Sequence, residues 1–244
     1  MKNKVARGKP ADYGQFILKR RSRLTQNCVS LEGKTILDFG CGNGAQTIEF
    51  ANLNAQIIAL DIDEVDLNHL SEYLRDSDIE NIKAVKYDGT TIPLEDNSVD
   101  IVLSYEVLEH VGDEALALSE IHRVLKDDGE IVFSVPNKWW IFETHGAYLP
   151  YLKWNRVPLF SWLPRFIHQR YAKARIYTKA DIRKILLQSH FIVNNLYYIT
   201  APMDVVKNRF LKNILRRFVF LNDVTKLPFL ATAILVHAKK KNLQ

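Results

Sequence analysis

A glycine-rich turn between a short apolar run and the segment after it constrains this chain more than any other feature. Lys34-Thr35-Ile36-Leu37-Asp38-Phe39 is β-rich and bounded by Gly33 and Gly40. Gly40, Gly42 and Gly44 follow at alternate positions, and Ala45 to Ala51 then has helical character. Such a turn lets backbone N–H groups approach a ligand with no Cβ in the way. The alternation continues downstream. Gln56 to Leu60 is a second strand closed by Asp61, and a helix over 64–76 has Val65, Leu67, Leu70 and Leu74 as its expected buried stripe. Ile82–Tyr87 and Val99–Ser104 read as strands three and four. A helix over 115–125 presents Leu116, Ile121 and Leu125, and a fifth strand over 129–135 is stopped by Pro136. Strands separated by helices pair in parallel through right-handed crossovers, so the pattern predicts a doubly wound α/β sheet. In that architecture the turn after the first strand lies at the carboxyl ends of the strands, where ligands bind.

Past Pro136 the texture changes. Residues 139–171 hold four Trp and three Pro. A helix N-terminus is expected at Thr178-Lys179-Ala180-Asp181, followed by strands over 191–200 and 231–238. Between those strands Phe210, Leu211, Ile214, Leu215, Phe218 and Leu221 recur at helical spacing beside Lys207, Arg209, Lys212, Arg216 and Arg217. Charge follows the same division: +7 over residues 1–30, −17 over 31–150 and +15 over 151–244. An acidic middle between basic ends implies surfaces that meet different partners. The 244 residues, 47% hydrophobic and 25% charged, suit one domain with a sizeable core and exclude fibrous or disordered classes. Two cysteines, Cys28 and Cys41, suggest neither a disulfide framework nor a zinc site. With no signal stretch and no spanning segment, the expected location is cytoplasmic, either free or peripheral at the inner membrane face.

Two familiar glycine motifs fail here. A dinucleotide fingerprint would need glycine at Thr47, and a P-loop would need a lysine followed by Ser or Thr. Asp61, seventeen residues after Gly44 and at the end of the next strand, stands where a carboxylate would grip a ribose diol. The string Asp38-Phe39-Gly40-Cys41-Gly42-Asn43-Gly44 resembles motif I of the class I S-adenosylmethionine-dependent methyltransferases, among them quinone and lipid O-methyltransferases. The resemblance extends over about residues 31–135: Ala59-Leu60-Asp61-Ile62-Asp63, Tyr87-Asp88-Gly89 with Ile92-Pro93-Leu94, Ser98–Val102, Glu106–Val111 and Arg123–Lys126 match in order. It implies a seven-stranded mixed sheet with the last strand antiparallel. It also implies S-adenosylmethionine as methyl donor, held by Asp38, Gly40, Cys41, Gly42, Asn43, Gly44, Asp61, Ile62, Asp88, Gly89 and Tyr105. Within a single domain, residues 1–30 form a helical cover (helix about 12–27), 31–136 the cofactor core, 137–177 an acceptor-side lid insertion and 178–244 the rest of the sheet. No Asn/Asp-Pro-Pro-aromatic signature follows the fourth strand, which argues against methylation of an amide or adenine nitrogen.

On the acceptor side, Glu106, Glu109 and His110 stand at i, i+3 and i+4 and would share a helix face. In some relatives a Glu-x-x-Glu-His string of this kind binds a divalent metal; many metal-free relatives carry it too. His145 follows the fifth strand and can act as a base near neutral pH, so His145, Glu106 and His110 are the catalytic candidates. Tyr177 and His168 are weaker ones, while His69, His122, His190 and His237 read as structural. Aromatics interleaved with bases from Lys138 to Arg175, including Tyr151, Lys153, Trp154 and Arg156, suit either a lid core or an anionic membrane surface. The expected acceptor is an apolar or lipid-linked small molecule methylated on oxygen. Against it stand a soluble metabolite, sugar or RNA, and a non-catalytic binding subunit. Nucleic acid ranks low because no RNA-binding module is appended.

Overall fold

The computed structural model describes residues 16–148, 157–203, 206, 208–218, 220 and 222–242. Among them eight strands form one sheet: β1 (Thr35–Phe39), β2 (Gln56–Asp61), β3 (Ile82–Lys86), β4 (Val99–Tyr105), β5 (Leu125–Pro136), β6 (Phe191–Thr200), β7 (Val224–Thr225) and β8 (Ala231–Lys240). Their order is β3-β2-β1-β4-β5-β8-β6-β7. β1 to β5 pair in parallel, and β8 runs antiparallel between β5 and β6. The doubly wound sheet and its antiparallel last strand are as expected. The eighth strand is β7, two residues paired to the edge of β6. Nothing in so short a segment carries a period-2 signal.

Among the described residues six α-helices accompany the sheet: α1 (Phe16–Cys28), α2 (Glu64–Asp76), α3 (Glu114–Val124), α4 (Arg165–Tyr171), α5 (Lys179–Gln188) and α6 (Arg209–Phe218). The 12–15 part of the expected first helix, and residues 151, 153, 154, 156, 207 and 221, lie outside the described residues. Side-chain capping sets three of the helix starts. Asp63 accepts from Val65 N–H and Asp66 N–H, Asp113 caps α3 the same way, and Thr178 with Asp181 forms a capping box on α5. The apolar faces bury on both sides of the sheet. Leu67, Leu70 and Leu74 of α2 pack with Ile36, Ile57 and Leu103 on one side, and Leu118, Ile121 and Val124 of α3 with Leu186 of α5 on the other. Two expected stripe members fall on the wrong face: Val65 is 62% exposed, and Leu116 is exposed as well. At 100° per residue Val65 lies opposite Leu67, and Leu116 opposite Ile121. Leu125, expected to continue α3, instead opens β5 beside Val99. The segment after Gly44 is a single 3-10 turn, Thr47–Phe50, rather than an α-helix.

Among the described residues no helix is long and apolar enough to cross a membrane.

Candidate functional site

The glycine turn sits where β1 ends. Gly40 N–H and Cys41 N–H donate to Leu60 O at 2.8 and 3.0 Å, tying the turn to the end of β2. Gly42 N–H donates to Asp61 Oδ2 at 2.7 Å, and Asp63 N–H donates to Asp61 Oδ1 at 2.9 Å. Gly40, Gly42 and Gly44 all adopt positive φ, +80°, +54° and +77°. A Cβ on Gly42 would meet nothing within 4 Å, so the turn presents an open backbone face there. A phosphate would want the N-terminus of a long helix, and one 3-10 turn does not supply it. Carboxylates stand close instead, an arrangement suited to a cationic ligand.

Asp38 lies beneath the turn, fully buried, and accepts from Thr47 Oγ1 at 2.6 Å. Burial is the main cause that pushes its carboxyl up to about 6; Thr47 opposes this and Asp61 adds to it. The folded protein therefore favours the protonated acid. That stabilisation is complete below about pH 4 and is lost as pH rises through about 6, leaving a cost of about 3 kcal/mol for ionised Asp38. Asp38→Asn keeps an acceptor for Thr47 without the charge. It is expected to match the parent in urea unfolding at pH 4 and exceed it by up to about 3 kcal/mol at pH 7.5. Equal stabilities at pH 7.5 would overturn the assignment.

The other cofactor candidates also make local contacts. Asp88 accepts from Thr90 N–H, Thr90 Oγ1 and Thr91 N–H at 2.8 to 3.0 Å, and the first of these does most to hold its carboxyl below the usual range. Ile62 is 52% exposed beside Gly89, an apolar surface at the ends of β2 and β3. The Tyr105 hydroxyl pairs with Thr25 Oγ1 at 2.7 Å, and burial pushes its phenol well up. Cys41 is buried, which pushes its thiol up and leaves it a packing residue. Asn43 Oδ1 accepts from Ala45 N–H at 3.3 Å. Helix α1 covers this end of the sheet: Thr25 reaches Tyr105, Arg21 reaches Glu106 at 3.0 Å, and Leu18 O accepts from Gln46 Nε2 at 3.2 Å. Sequence reasoning missed Arg21 and Thr25, because a basic helix carries no mark of what it covers.

The acceptor-side residues are rearranged relative to expectation. Residues 106–110 form a turn, not a helix, and Glu106 has φ +59°. Glu106 therefore does not share a face with Glu109 and His110. Its carboxylate accepts from Ser134 Oγ at 3.0 Å and pairs with Arg21. Glu109 and His110 meet His145 from the lid insertion instead. The three offer ligand atoms within 4.8 Å of one another, and Glu109 Oε1 lies 3.3 Å from His145 Nε2. The His110 and His145 rings stand edge to face at 4.8 Å. Thr144 Oγ1 lies 3.0 Å from His145 Nδ1. Among the described residues, neither oxygen of Glu109 and neither ring nitrogen of His110 has a hydrogen-bond partner, although all four are buried. Burial first, then Glu106, pushes the Glu109 carboxyl well above its usual range. Burial, then His145 and Arg175, pushes His110 down to about 4.

The weaker candidates are engaged by carboxylates. Tyr177 hydrogen-bonds Glu114, and His168 is buried against Glu143 Oε2 at 2.7 Å. Glu143 Oε1 also accepts from His145 N–H at 3.2 Å, so this buried pair anchors the loop that carries His145.

Residues 37–133 match the family model described as a methyltransferase domain, in keeping with the resemblance to the class I S-adenosylmethionine-dependent methyltransferases. A probable S-adenosylmethionine-dependent methyltransferase of Mycolicibacterium smegmatis is 34% identical over 116 residues, 48% of this chain and 42% of the relative. A ubiquinone biosynthesis O-methyltransferase of Nitrosococcus oceani is 31% identical over 134 residues, 52% and 55% of the two chains. The chain thus spans about half the length of the curated relatives it matches. A solved structure of a putative S-adenosylmethionine-dependent methyltransferase from Listeria monocytogenes superposes with a TM-score of 0.65 at 17% identity, covering 94% of this chain and all of that one. The fold is shared throughout.

Proposed function

We propose that this protein transfers the methyl group of S-adenosylmethionine to an oxygen of an apolar or lipid-linked small molecule at a membrane surface. The observation that carries the reading is the open glycine turn whose Gly42 N–H is held by the Asp61 carboxylate. Bound there, the donor supplies an electrophilic methyl on a positively charged sulfur. The chain's own part is to orient donor and acceptor in line and keep water out, which accounts for most of the acceleration in such a transfer. Asp61, Ile62, Asp88 and Gly89, at the ends of β2 and β3, would hold the nucleoside, and α1 covers the turn. As the acceptor oxygen gains the methyl it must lose its proton. His145, next to Glu109, would receive it, with Thr144 setting the ring, while Glu106 is engaged by Arg21 and Ser134.

A second reading of the same cluster is favoured by the four buried polar atoms of Glu109 and His110 that make no hydrogen bond. Two imidazoles and a carboxylate suit a divalent transition metal such as Zn²⁺ or Mn²⁺. Glu109, His110 and His145 would hold it, with Thr144 orienting His145 from behind. The ion would supply Lewis-acid polarisation of the acceptor oxygen. Protein stripped with a chelator is then expected to bind one Zn²⁺ or Mn²⁺ by calorimetry and to melt several degrees higher, an effect lost in Glu109→Gln. Stripped protein that binds neither ion sinks the metal reading and leaves the proton-acceptor reading intact.

The function itself is tested by following a tritiated methyl group from S-adenosylmethionine into an extract of the source cells and partitioning the products. Label in the organic phase, absent for Asp61→Ala, supports a lipid-like acceptor. Aqueous label points to a metabolite or sugar, or to RNA where nuclease releases it. No label, with no binding of S-adenosylhomocysteine, would leave a binding subunit.

A further inference from the structure

Helix α6 is inverted. An amphipathic helix on a soluble protein turns its apolar stripe to the core, but α6 has no buried residue. Phe210 and Phe218 are each 75% exposed, and Leu211 and Ile214 are exposed between them. These four lie on one side of the helix at 100° per residue. It is the opposite, basic side that meets the protein: Arg216 donates to Pro202 O at 2.8 Å and stacks 4.1 Å from the Phe16 ring of α1. Arg20 stacks on the same ring at 4.6 Å. The outward stripe is therefore held in place by cation–π and hydrogen-bond contacts behind it.

Its position in the fold matters as much as its orientation. Pro136 at the end of β5 is paired with Ala233, and Thr200 at the end of β6 with Ala231. The lid insertion, the segment bearing α6 and the 228–230 turn thus all leave from one end of the sheet, the end that carries the glycine turn. Asn137 Nδ2 donates to Pro228 O at 2.7 Å, and the rings of Trp140 and Phe220 stand 6.4 Å apart, which joins these segments. Leu227 and Phe229 add exposed apolar surface there.

We propose that α6, with the Leu227–Phe229 turn, is the face by which this protein docks on an anionic lipid bilayer. The proposal rests on the reading above of an apolar acceptor, since docking here presents the acceptor end of the sheet to the membrane. Charge selects the occupant. The helix carries Arg209, Lys212, Arg216 and Arg217 and no acid. Arg217, exposed and within 20° of Phe210 around the helix, lies on the outward side, so two copies packed stripe to stripe would bring like charges together. Anionic headgroups supply the missing sign while the acyl boundary takes the phenylalanines.

Flotation of the full chain with phosphatidylglycerol–phosphatidylcholine vesicles at low salt tests this. The parent is expected to float with them and to float poorly with phosphatidylcholine alone. The double variants Phe210→Ser/Phe218→Ser and Arg209→Glu/Arg217→Glu are each expected to partition at least about tenfold less. Both are expected to keep the parent's melting temperature and its binding of S-adenosylhomocysteine, since all four side chains are exposed. Failure of the parent to float, or flotation of both variants at the parent's level, overturns the proposal. So does a dimer that the phenylalanine variant dissociates while the parent ignores vesicles, because a second copy then covers the helix. Retained S-adenosylhomocysteine binding without flotation removes docking alone; flotation without that binding removes the methyl-transfer reading alone.

Discussion

Replacing Asp61 with alanine is expected to weaken S-adenosylhomocysteine binding at least about a hundredfold, measured by calorimetry. Two effects combine. The variant removes the carboxylate that would accept from the ribose hydroxyls, and each charge-assisted hydrogen bond of that kind is worth roughly 1.5–3 kcal/mol. It also frees Gly42 N–H and Asp63 N–H, which now donate to Asp61 at 2.7 and 2.9 Å, so the open face of the turn loses its brace. Asp61→Asn separates the two. It keeps one carbonyl acceptor for the turn and loses the charge, and a smaller loss of roughly tenfold is expected. Asp61 is only partly buried, so water can reach the freed amides and the alanine variant should still fold. Affinity within about threefold of the parent in the folded alanine variant would remove Asp61 from the cofactor site.

The three glycines should separate into two kinds when each is changed to alanine. At Gly44 a Cβ would fall 2.9 Å from Leu70 Cδ2 and closer still to Cδ1, and Leu70 is fully buried, so any shift must be taken up by its packed neighbours. At Gly40 it would fall 2.6 Å from Val107 Cγ1. Positive φ costs a Cβ-bearing residue roughly 1–2 kcal/mol, and overpacking adds roughly 1–3. Gly44→Ala is therefore expected to lose about 3 kcal/mol, a fall in melting temperature of about 10 °C for a chain of this size. Gly42→Ala carries the φ penalty alone, about 1 kcal/mol, because its Cβ enters open space. Its effect should appear in binding instead, since that space is the one the ligand would fill: at least about a tenfold loss with the fold intact. Normal S-adenosylhomocysteine affinity in Gly42→Ala would show that the ligand does not approach the turn there.

How much of this was legible beforehand differs between the two halves of the site. Asp38, the three glycines and Asp61 lie within one strand–turn–strand unit, and their placement follows from short-range patterning and the parallel pairing of β1 with β2. The acceptor side was misread at Glu106. The i, i+3, i+4 spacing of Glu106, Glu109 and His110 means a shared face only if the segment is helical, and the positive φ of Glu106 turns its side chain toward Ser134 and Arg21 instead. The same limit misplaced Val65 and Leu116, whose apolar character suggested a stripe that the helical angle excludes.

What the sequence determined alone is what local periodicity and steric freedom can encode: the five parallel strands, their order along the chain, and a turn that only glycines adopt without strain. Tertiary structure decided the rest. It brought His145, thirty-five residues after His110, against Glu109, and it fastened α1 over the turn through Arg21 and Thr25. It also chose which face of α6 looks outward. Amphipathic spacing defines a stripe, but which side of a helix meets the body depends on what stands opposite, here Phe16 and the Pro202 carbonyl gripping Arg216. Those partners are two hundred residues apart for the ring and fourteen for the carbonyl, and no local pattern links them.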